Sequence, residues 1–585
     1  MMFPAYIAIL GIIANVRADA NMANPIRLSS DGWFRYENNK HYIPLGGFHG
    51  NVIPISLLNL TEEEKKHFEP RLWNGHIDLY DATEKVLHQW FSFLQENGVT
   101  SLRLFPRANV GVDVLDLCGK VNMELWEAFH RAFTTAADYD IRFLLQIMPE
   151  PGRTGYLNKD ALKKHVLPKF TDEDKKELTP SQKHFILEKD TVSMRKYFTD
   201  PDVLECHKLY LRRVLKLVAD EPQIFALEIY NEQGWGGVKV NDKWEHSFNY
   251  FLENDEIQWS KEITEAIKQE LPEMPVCLSH PGFGVTGFDP FRWSIGAGVD
   301  FYSQHLYAGL CGAEEDIDFS AVTAATSAII SAAIPNSPGE WGILDSKAPA
   351  NIRHRGHRDA IWLNMLTGSN GFMQWEYDFP QEYKWVKKVY DSIPEGFKPD
   401  FSDHVSVEIV EEYKAFQTDT RYPMFSSEEW FNPWEFNRLK HKDENIRKIY
   451  AAYWKSLEDG VPIHFTMNGD DSILLEDFLS GKLSTEKAIE AEGGYQLSYL
   501  PLSNGDKRIY IAYLRSRKIE NFSGHILGVP VKRSLDVIVN QPVSYTIQII
   551  DLNTEDISVY TAAGKREFHL GDKSDHDFVL VISQE

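Results

Sequence analysis

The sequence lacks the features that mark several classes of protein. Its four cysteines are scattered and form no CxxC pair, so no cysteine metal site is indicated. One or two disulfides or buried free thiols are both compatible with them. A basic excess is also missing, because 61 Lys and Arg face 86 Asp and Glu and leave a net charge of −25. This balance argues against nucleic acid or an anionic membrane as a partner, since both need a basic surface.

Long apolar runs are absent beyond the N-terminus, so no membrane-spanning segment is expected. Residues 3–16 are almost wholly apolar and are followed by Ala18-Asp19-Ala20, a small-x-small cleavage pattern. The run is too short to span a bilayer, and it favours a secretory signal peptide over residues 1–20, although no Lys or Arg precedes it. We therefore expect a secreted or periplasmic protein.

The sequence does contain a regular alternation of short apolar runs and amphipathic segments. Eight runs read as buried strands, and most are separated by segments with helical periodicity. The strands are predicted near residues 42–48, 100–106, 141–147, 225–232, 275–280, 299–307, 337–342 and 371–376. This alternation predicts an α/β protein with a (β/α)8, or TIM, barrel.

The chain is too long for the barrel alone. We assign residues 21–490 to a catalytic barrel with long excursions, including a polar segment at 151–200. Short alternating strands dominate residues 491–585 and predict a small C-terminal antiparallel β-sandwich. The sandwich is either a carbohydrate-binding module or a stabilising appendage. We favour the appendage because its strands show no exposed aromatic row.

Two glutamates follow apolar runs that we interpret as the fourth and seventh strands. Glu232 ends the run Phe225–Glu232, and Glu340 lies between Gly339 and Trp341. Active sites of (β/α)8 barrels lie at the carboxyl ends of the strands, so the two side chains should face each other across the barrel mouth. A pair of carboxyls about 5 to 5.5 Å apart is the arrangement of a retaining glycosidase.

With these residues in place, the chain resembles the clan of retaining (β/α)8 glycoside hydrolases, and within it the family-five cellulases and mannanases. The resemblance covers about residues 33–379. Its motifs are Asn231-Glu232 on the fourth strand, Glu340 on the seventh, Arg103 on the second, His305-Leu306-Tyr307 on the sixth and Trp375 on the eighth. Each motif is short, but their order along the barrel is specific.

The resemblance implies a role for each matched residue. Glu232 would be the acid/base and Glu340 the nucleophile. Asn231 would hold the sugar's 2-hydroxyl, Arg103 and Tyr307 would orient Glu340, and His305 and Trp375 would contact the substrate. The polar ends of the first and fifth strands add Asn51 and His280 as candidate substrate contacts. No metal and no organic cofactor are expected.

The predicted function is that of a retaining glycoside hydrolase that cleaves a β-linked oligo- or polysaccharide of the β-mannan or β-glucan type. An exo-acting β-mannosidase or β-galactosidase is one alternative, and a non-catalytic carbohydrate-binding barrel is another. Single residues have alternatives too: Glu232 could cap a loop, Arg103 could form a structural ion pair, and His305 could be a core histidine. Two features depart from the family pattern. Pro149-Glu150 stands where a histidine is common, and Pro338 is awkward in a central strand.

Overall fold

The structure is a computed structural model. It describes residues 25–47, 52–69, 72, 75–104, 123–148, 198–199, 201–233, 235–240, 243–248, 253–281, 290–307, 318–342, 350–374, 382–412, 444–467, 472–481, 487–492, 495–516, 519–520, 526–527, 535–571 and 576–585.

Eight parallel strands form the central sheet, and they follow one another around it in chain order. They are Leu45–Gly47, Ser101–Leu104, Arg142–Gln146, Ile224–Glu228, Val276–Pro281, Phe301–Tyr307, Glu340–Gly342 and Phe372–Gln374, and are called the first to eighth barrel strands. The first strand pairs with the eighth, and the Met373 amide donates to the Pro338 carbonyl at 2.8 Å to join the eighth to the seventh. The sheet is therefore a closed barrel, which confirms the predicted fold class.

A helix follows each barrel strand. The eight helices are Glu84–Glu96, Met123–Ala137, Pro201–Val218, Glu253–Glu270, Pro290–Ala297, Phe319–Ser331, Ala350–Leu366 and Glu382–Asp391. The first begins where the Thr83 side chain accepts from the Val86 amide, and it ends before Gly98, whose φ of +76° suits glycine. Its buried face includes Trp90 and Leu94, as its 3.6-residue periodicity predicts.

The predicted alternation misses two of these helices. The helix after the fifth strand, Pro290–Ala297, has only 8 residues and ends before Gly298. The helix after the eighth strand, Glu382–Asp391, falls in a region that we interpret from sequence as a helical and irregular connection. Both are shorter than the other helices that follow barrel strands. The second is nevertheless amphipathic, since it buries Tyr383, Val386, Val389 and Tyr390 at helical spacing, so the sequence does contain a signal for it.

The apparent conflict at Pro338 has a simple explanation. Ser337 and Gly339 donate their amides to the sixth strand, at Tyr302 and Gln304. Residues alternate in direction along a strand, so the missing amide of Pro338 would point away from the sixth strand. The Pro338 carbonyl meanwhile accepts from Met373 on the eighth strand. The proline therefore costs no hydrogen bond to the sixth strand.

The amino-terminal end of the barrel is covered by a hairpin of Ile26–Leu28 and Phe34–Tyr36. The Phe34 ring packs edge-on against Phe225 and Phe301, at centroid distances of 5.3 and 5.1 Å. Cys277, a free thiol, is buried in the same cluster. A tight turn follows the second strand of this hairpin at 36–40, where Asn39 has a φ of +62° and the Tyr36 amide donates to the Lys40 carbonyl. Apolar packing thus closes the end of the barrel opposite the glutamates.

Several smaller elements decorate the barrel. Val52–Pro54 pairs with His76–Asp78, and Trp235–Val240 pairs with Lys243–Phe248. A parallel sheet of Val405–Glu408, Ile463–Thr466 and Ile473–Leu474 was not expected from the sequence. The remaining helices are Glu62–Phe68, Glu444–Asp459 and Leu475–Leu479, with single 3-10 turns at Ile55–Leu57, Leu79–Asp81 and Phe401–Asp403. Among the described helices, none is both long enough and apolar enough to cross a bilayer.

The C-terminal part forms two antiparallel sheets around a second core. One sheet contains Lys398–Pro399, Gln496–Ser503, Arg508–Arg515, Ser544–Asp551, Ile557–Ala563 and Phe578–Gln584. The other contains Ile489–Glu492, Leu535–Val539 and Arg566–Gly571, and a short pair joins Ile519–Glu520 to Ile526–Leu527. A C-terminal β domain is thus present. Its sheets also include residues that precede the predicted boundary at 491.

Ion pairs buried between the barrel and the sandwich connect the two. Arg515 is fully buried and lies 2.6 Å from Asp318 and 3.4 Å from Asp359. Asp318 caps the helix after the sixth strand, and Asp359 lies in the helix after the seventh. Arg358 of that same helix pairs with Asp577 of the sandwich. The sandwich is therefore packed against the barrel by charged groups that would be costly to separate.

Candidate active site

Polar side chains from five barrel strands meet at one end of the barrel. Arg103 comes from the second strand, Glu228 from the fourth, Ser279 from the fifth, His305 from the sixth and Glu340 from the seventh. All five are buried. Buried charges are expensive unless they are paired, so a cluster of this kind at the functional end of a barrel is the first candidate for a site.

The two predicted catalytic glutamates lie together across the barrel mouth. His305 stands between them, with its Nδ1 3.2 Å from Glu232 Oε1 and 3.4 Å from Glu340 Oε2. A carboxylate oxygen of Glu232 lies within 4.8 Å of one of Glu340. Glu340 is 1% exposed at its side chain and Glu232 is 16% exposed. The pair has the close spacing of a retaining glycosidase, with the acid/base candidate nearer to solvent.

The two glutamates do not sit at the strand ends as the sequence predicts. The fourth strand ends at Glu228, and Glu232 lies four residues later in a turn. Glu340 is the first residue of its strand and is paired in register with His305. The backbone bonds at Ser337 and Gly339 extend this pairing toward the N-terminus. The prediction placed both residues at the correct end of the barrel but missed the turn.

Arg103 connects three side chains of the site. Its Nε and one terminal nitrogen donate to both oxygens of Glu228, at 2.7 and 2.5 Å. The same nitrogen, Nη2, also donates to Asn231 Oδ1 at 2.7 Å. The second terminal nitrogen, Nη1, donates to Glu340 Oε1. A planar guanidinium suits such a fork, and its charge favours the ionised form of a carboxylate beside it. Arg103 thus provides Glu340 with the environment that a nucleophile needs.

Glu228 is a third carboxylate of the site, and it is fully buried. Burial alone would raise the pKa of its carboxyl, but the Arg103 charge and the hydrogen bonds from Arg103 and Ser279 outweigh that effect and lower it. Glu228 is therefore ionised at neutral pH. The sequence analysis did not select it, although a lone carboxylate between Leu227 and Ile229 in a buried strand is a signal for an ionic partner.

The backbone of Glu232 adopts an unusual conformation. Its φ is +53°, in the left-handed region that residues other than glycine rarely occupy. Two amides of this turn bind Ser279: the Glu232 amide donates to Ser279 Oγ at 2.9 Å, and the Gln233 amide donates to the Ser279 carbonyl at 2.7 Å. The Ser279 hydroxyl in turn donates to Glu228 Oε1 at 2.5 Å. The turn is thereby attached to the Arg103 network.

His305 is neutral in this setting. Burial has the largest effect and lowers the pKa of its imidazole to about 4, although the Glu340 charge acts in the opposite direction. A neutral imidazole can place an N–H on Nδ1, toward the two glutamates. The donor atoms of Glu232, His305 and Glu340 are also close enough to share a metal ion. The guanidinium on Glu340 already supplies a positive charge there, which disfavours a second cation.

The other predicted site residues have different positions. Asn231 is buried, and its side-chain oxygen binds Arg103. His280 is fully buried at the end of the fifth strand, and its ring contacts Tyr302 and Trp293. The structure describes only the backbone of Tyr307, which is in register with Gly342. Asn51 and Trp375 lie outside the described residues.

No protein-family model matches this sequence, and no curated protein does. Among solved structures, the chain is similar to an exo-β-1,4-mannosidase from Opitutaceae bacterium strain TAV5, with 13% identity and a TM-score of 0.46 over 75% of this chain and 72% of that one. It is also similar to an endo-1,4-β-mannanase from Rhizomucor miehei, with 15% identity and a TM-score of 0.42 over 60% and 90% of the two chains. A glycoside hydrolase family 5 protein from Bacteroides vulgatus ATCC 8482 shows 10% identity and a TM-score of 0.41 over 96% and 93%. Likeness at this level assigns neither a family nor a substrate, so the chemistry has to be inferred from the residues of the site.

Proposed function

We propose that this protein is a retaining glycoside hydrolase that acts on a β-linked oligo- or polysaccharide of the β-mannan or β-glucan type. The observation that supports this most directly is the pairing of Glu232 and Glu340 within 4.8 Å, in different environments. Glu340 binds a buried guanidinium, and Glu232 is the more exposed of the two. A retaining glycosidase needs one ionised and one protonated carboxyl, and the guanidinium bound to Glu340 favours the ionised form of that one.

The two carboxyls then act in two steps. In the first, a Glu340 oxygen attacks the anomeric carbon while the bond from that carbon to the leaving oxygen breaks, and Glu232 gives its proton to that oxygen. In the second, Glu232 takes a proton from water, and the resulting hydroxide oxygen bonds to the anomeric carbon as the bond to Glu340 breaks. Arg103 stabilises the Glu340 carboxylate before the first step and as it is released in the second. Between the steps Glu340 is an ester, and the His305 imidazole can then donate to the Glu232 carboxylate.

The test is hydrolysis of a panel of aryl β-glycosides and β-glycans of the gluco-, manno-, galacto- and xylo-series. Glu340→Ala should lose turnover and regain it with azide as the inverted (α) glycosyl azide. Glu232→Ala should keep more activity on substrates with good leaving groups and give the β azide. Glu221→Gln is the matched control, because Glu221 is a buried glutamate at the opposite end of the fourth strand, 2.6 Å from His130.

Two outcomes would contradict the proposal. Absence of turnover across the panel, with glycan binding intact in the wild type and in both alanine variants, would leave a non-catalytic binding barrel. Activity that disappears in a chelator and returns with a divalent ion would instead assign Glu232, His305 and Glu340 to a metal centre. A panel result on one sugar would identify the substrate class, and product analysis on the polymer would separate endo from exo cleavage.

A further inference from the structure

Ser279 connects the turn at Glu232 to the buried carboxylate of Glu228, and the proposed reaction does not itself require a serine there. Its hydroxyl accepts from the Glu232 amide and donates to Glu228, and its carbonyl accepts from the Gln233 amide. The side chain is fully buried. The single hydroxyl proton goes to Glu228, and a lone pair on the same oxygen accepts from the Glu232 amide.

The turn at Glu232 needs such a partner. A residue other than glycine with a φ of +53° is strained, and such a conformation persists only where surrounding contacts hold it. Ser279 receives two consecutive amides of the turn and thereby fixes the direction in which the Glu232 side chain leaves the backbone. Without the hydroxyl, the Glu232 amide and Glu228 Oε1 would each lose a hydrogen bond in a buried region.

We propose that Ser279 is a positioning residue for the acid/base: it holds the Glu232 turn in its left-handed conformation and attaches it to the Glu228–Arg103–Glu340 network. This assignment rests on the proposed glycosidase function. Ser279 touches neither the substrate bond nor the proton that is transferred. Its effect should therefore appear in how well Glu232 delivers that proton, since small displacements of a catalytic group reduce rates by up to about a hundredfold.

The readout is the dependence of kcat/KM on the leaving group. A dinitrophenyl glycoside needs little protonation to leave, whereas a phenyl glycoside depends on the general acid. In Ser279→Ala, we expect kcat/KM for the phenyl glycoside to fall about tenfold to a hundredfold, and that for the dinitrophenyl glycoside to fall less than about fivefold. Ser279→Cys keeps the volume with a weaker donor and should show the same bias if the alanine variant does not fold.

Ser303→Ala is the matched control. Ser303 is buried on the neighbouring strand and is paired in register with Ser279. It should retain the wild-type dependence on the leaving group. An equal loss on both substrates in the Ser279 variants, or no loss, would overturn the positioning role while leaving the glycosidase function in place. A wild-type enzyme inactive on every glycoside would overturn the proposed function itself, and with it the assignment of Ser279.

Discussion

Glu228 provides the sharpest test of the electrostatics of the site. Replacing it with Gln keeps the shape of the side chain but removes one negative charge from the Arg103 network. In the native protein, Glu228 and Glu340 share one guanidinium, and both are buried. Each carboxylate opposes the ionisation of the other, so Glu228→Gln should make Glu340 easier to ionise.

The size of the effect follows from Coulomb's law. Two carboxylates bound to different nitrogens of one guanidinium are about 6 Å apart, and an effective dielectric constant of about 20 gives a repulsion of about 2.8 kcal/mol. One pH unit corresponds to about 1.4 kcal/mol, so the upper bound is about two units. We expect the acidic limb of the kcat/KM profile to move down by about one to two pH units. The basic limb should move in the same direction by less, since Glu232 has no direct contact with Glu228 among the described hydrogen bonds.

The assay is kcat/KM against pH on the best aryl glycoside, for the wild type, Glu228→Gln and the Glu221→Gln control. Glu228→Gln should also lower the maximal rate, because an amide nitrogen replaces one of the two Glu228 oxygens that accept from Arg103. If the acidic limb stays in place or moves up, the charge of Glu228 does not raise the pKa of the Glu340 carboxyl. The account of Arg103 as a shared cation would then be wrong.

Three further predictions concern stability. Arg515→Met should lower the free energy of unfolding in urea by about 3 to 5 kcal/mol, because it removes the cation paired with the buried carboxylates of Asp318 and Asp359. It should leave kcat unchanged, since neither aspartate belongs to the Arg103 network, and a loss below about 1 kcal/mol would contradict the prediction. Gly46→Ala should prevent soluble folding or cost several kcal/mol, since the new Cβ would lie 1.7 Å from the backbone oxygen of Ser101 on the paired strand, and an unchanged melting temperature would refute it. His357, whose pKa burial lowers to about 3, should make the protein less stable as pH falls from 6.5 toward 4, because only the unfolded state takes up its proton. His357→Gln should flatten that slope by about 1.4 kcal/mol per pH unit, and parallel slopes for both proteins would exclude the effect.

The barrel could be predicted because its signals are local. Runs such as 141–147 combine apolar residues with flanking turns, and the amphipathic segments between them show a period of 3.6. The order of strands in a (β/α)8 barrel then follows from the chain itself, since each strand pairs with the next. The eight-residue helix after the fifth strand and the short strands of the parallel sheet were missed because elements of a few residues have little periodicity to detect. The helix at 382–391 is amphipathic and could have been separated from the irregular connection around it.

The sequence predicts which catalytic candidates lie together in the site, but it does not predict their backbone conformation or hydrogen bonds. Glu232 and Glu340 were selected as strand-end carboxylates, and they do lie together. The left-handed turn at Glu232 leaves no mark in the sequence, since nothing in Asn231-Glu232-Gln233 requires a positive φ. The roles assigned to Asn51, Tyr307 and Trp375 remain predictions, because the structure describes none of these side chains.

Glu228 and Ser279 differ in whether their roles can be predicted from the sequence. Glu228 could have been predicted from the sequence. It is an isolated carboxylate in one buried strand, and Arg103 is an isolated arginine in another. Burial of either charge alone is costly, so the two are expected to pair. Ser279 could not have been predicted, because a small hydroxyl is tolerated almost anywhere in a buried strand and its partner amide is 47 residues away. The role of Ser279 depends on the left-handed backbone conformation of Glu232, in the turn after the fourth strand. The position of Ser279, beside the proposed proton donor Glu232, is therefore what distinguishes it from other buried serines.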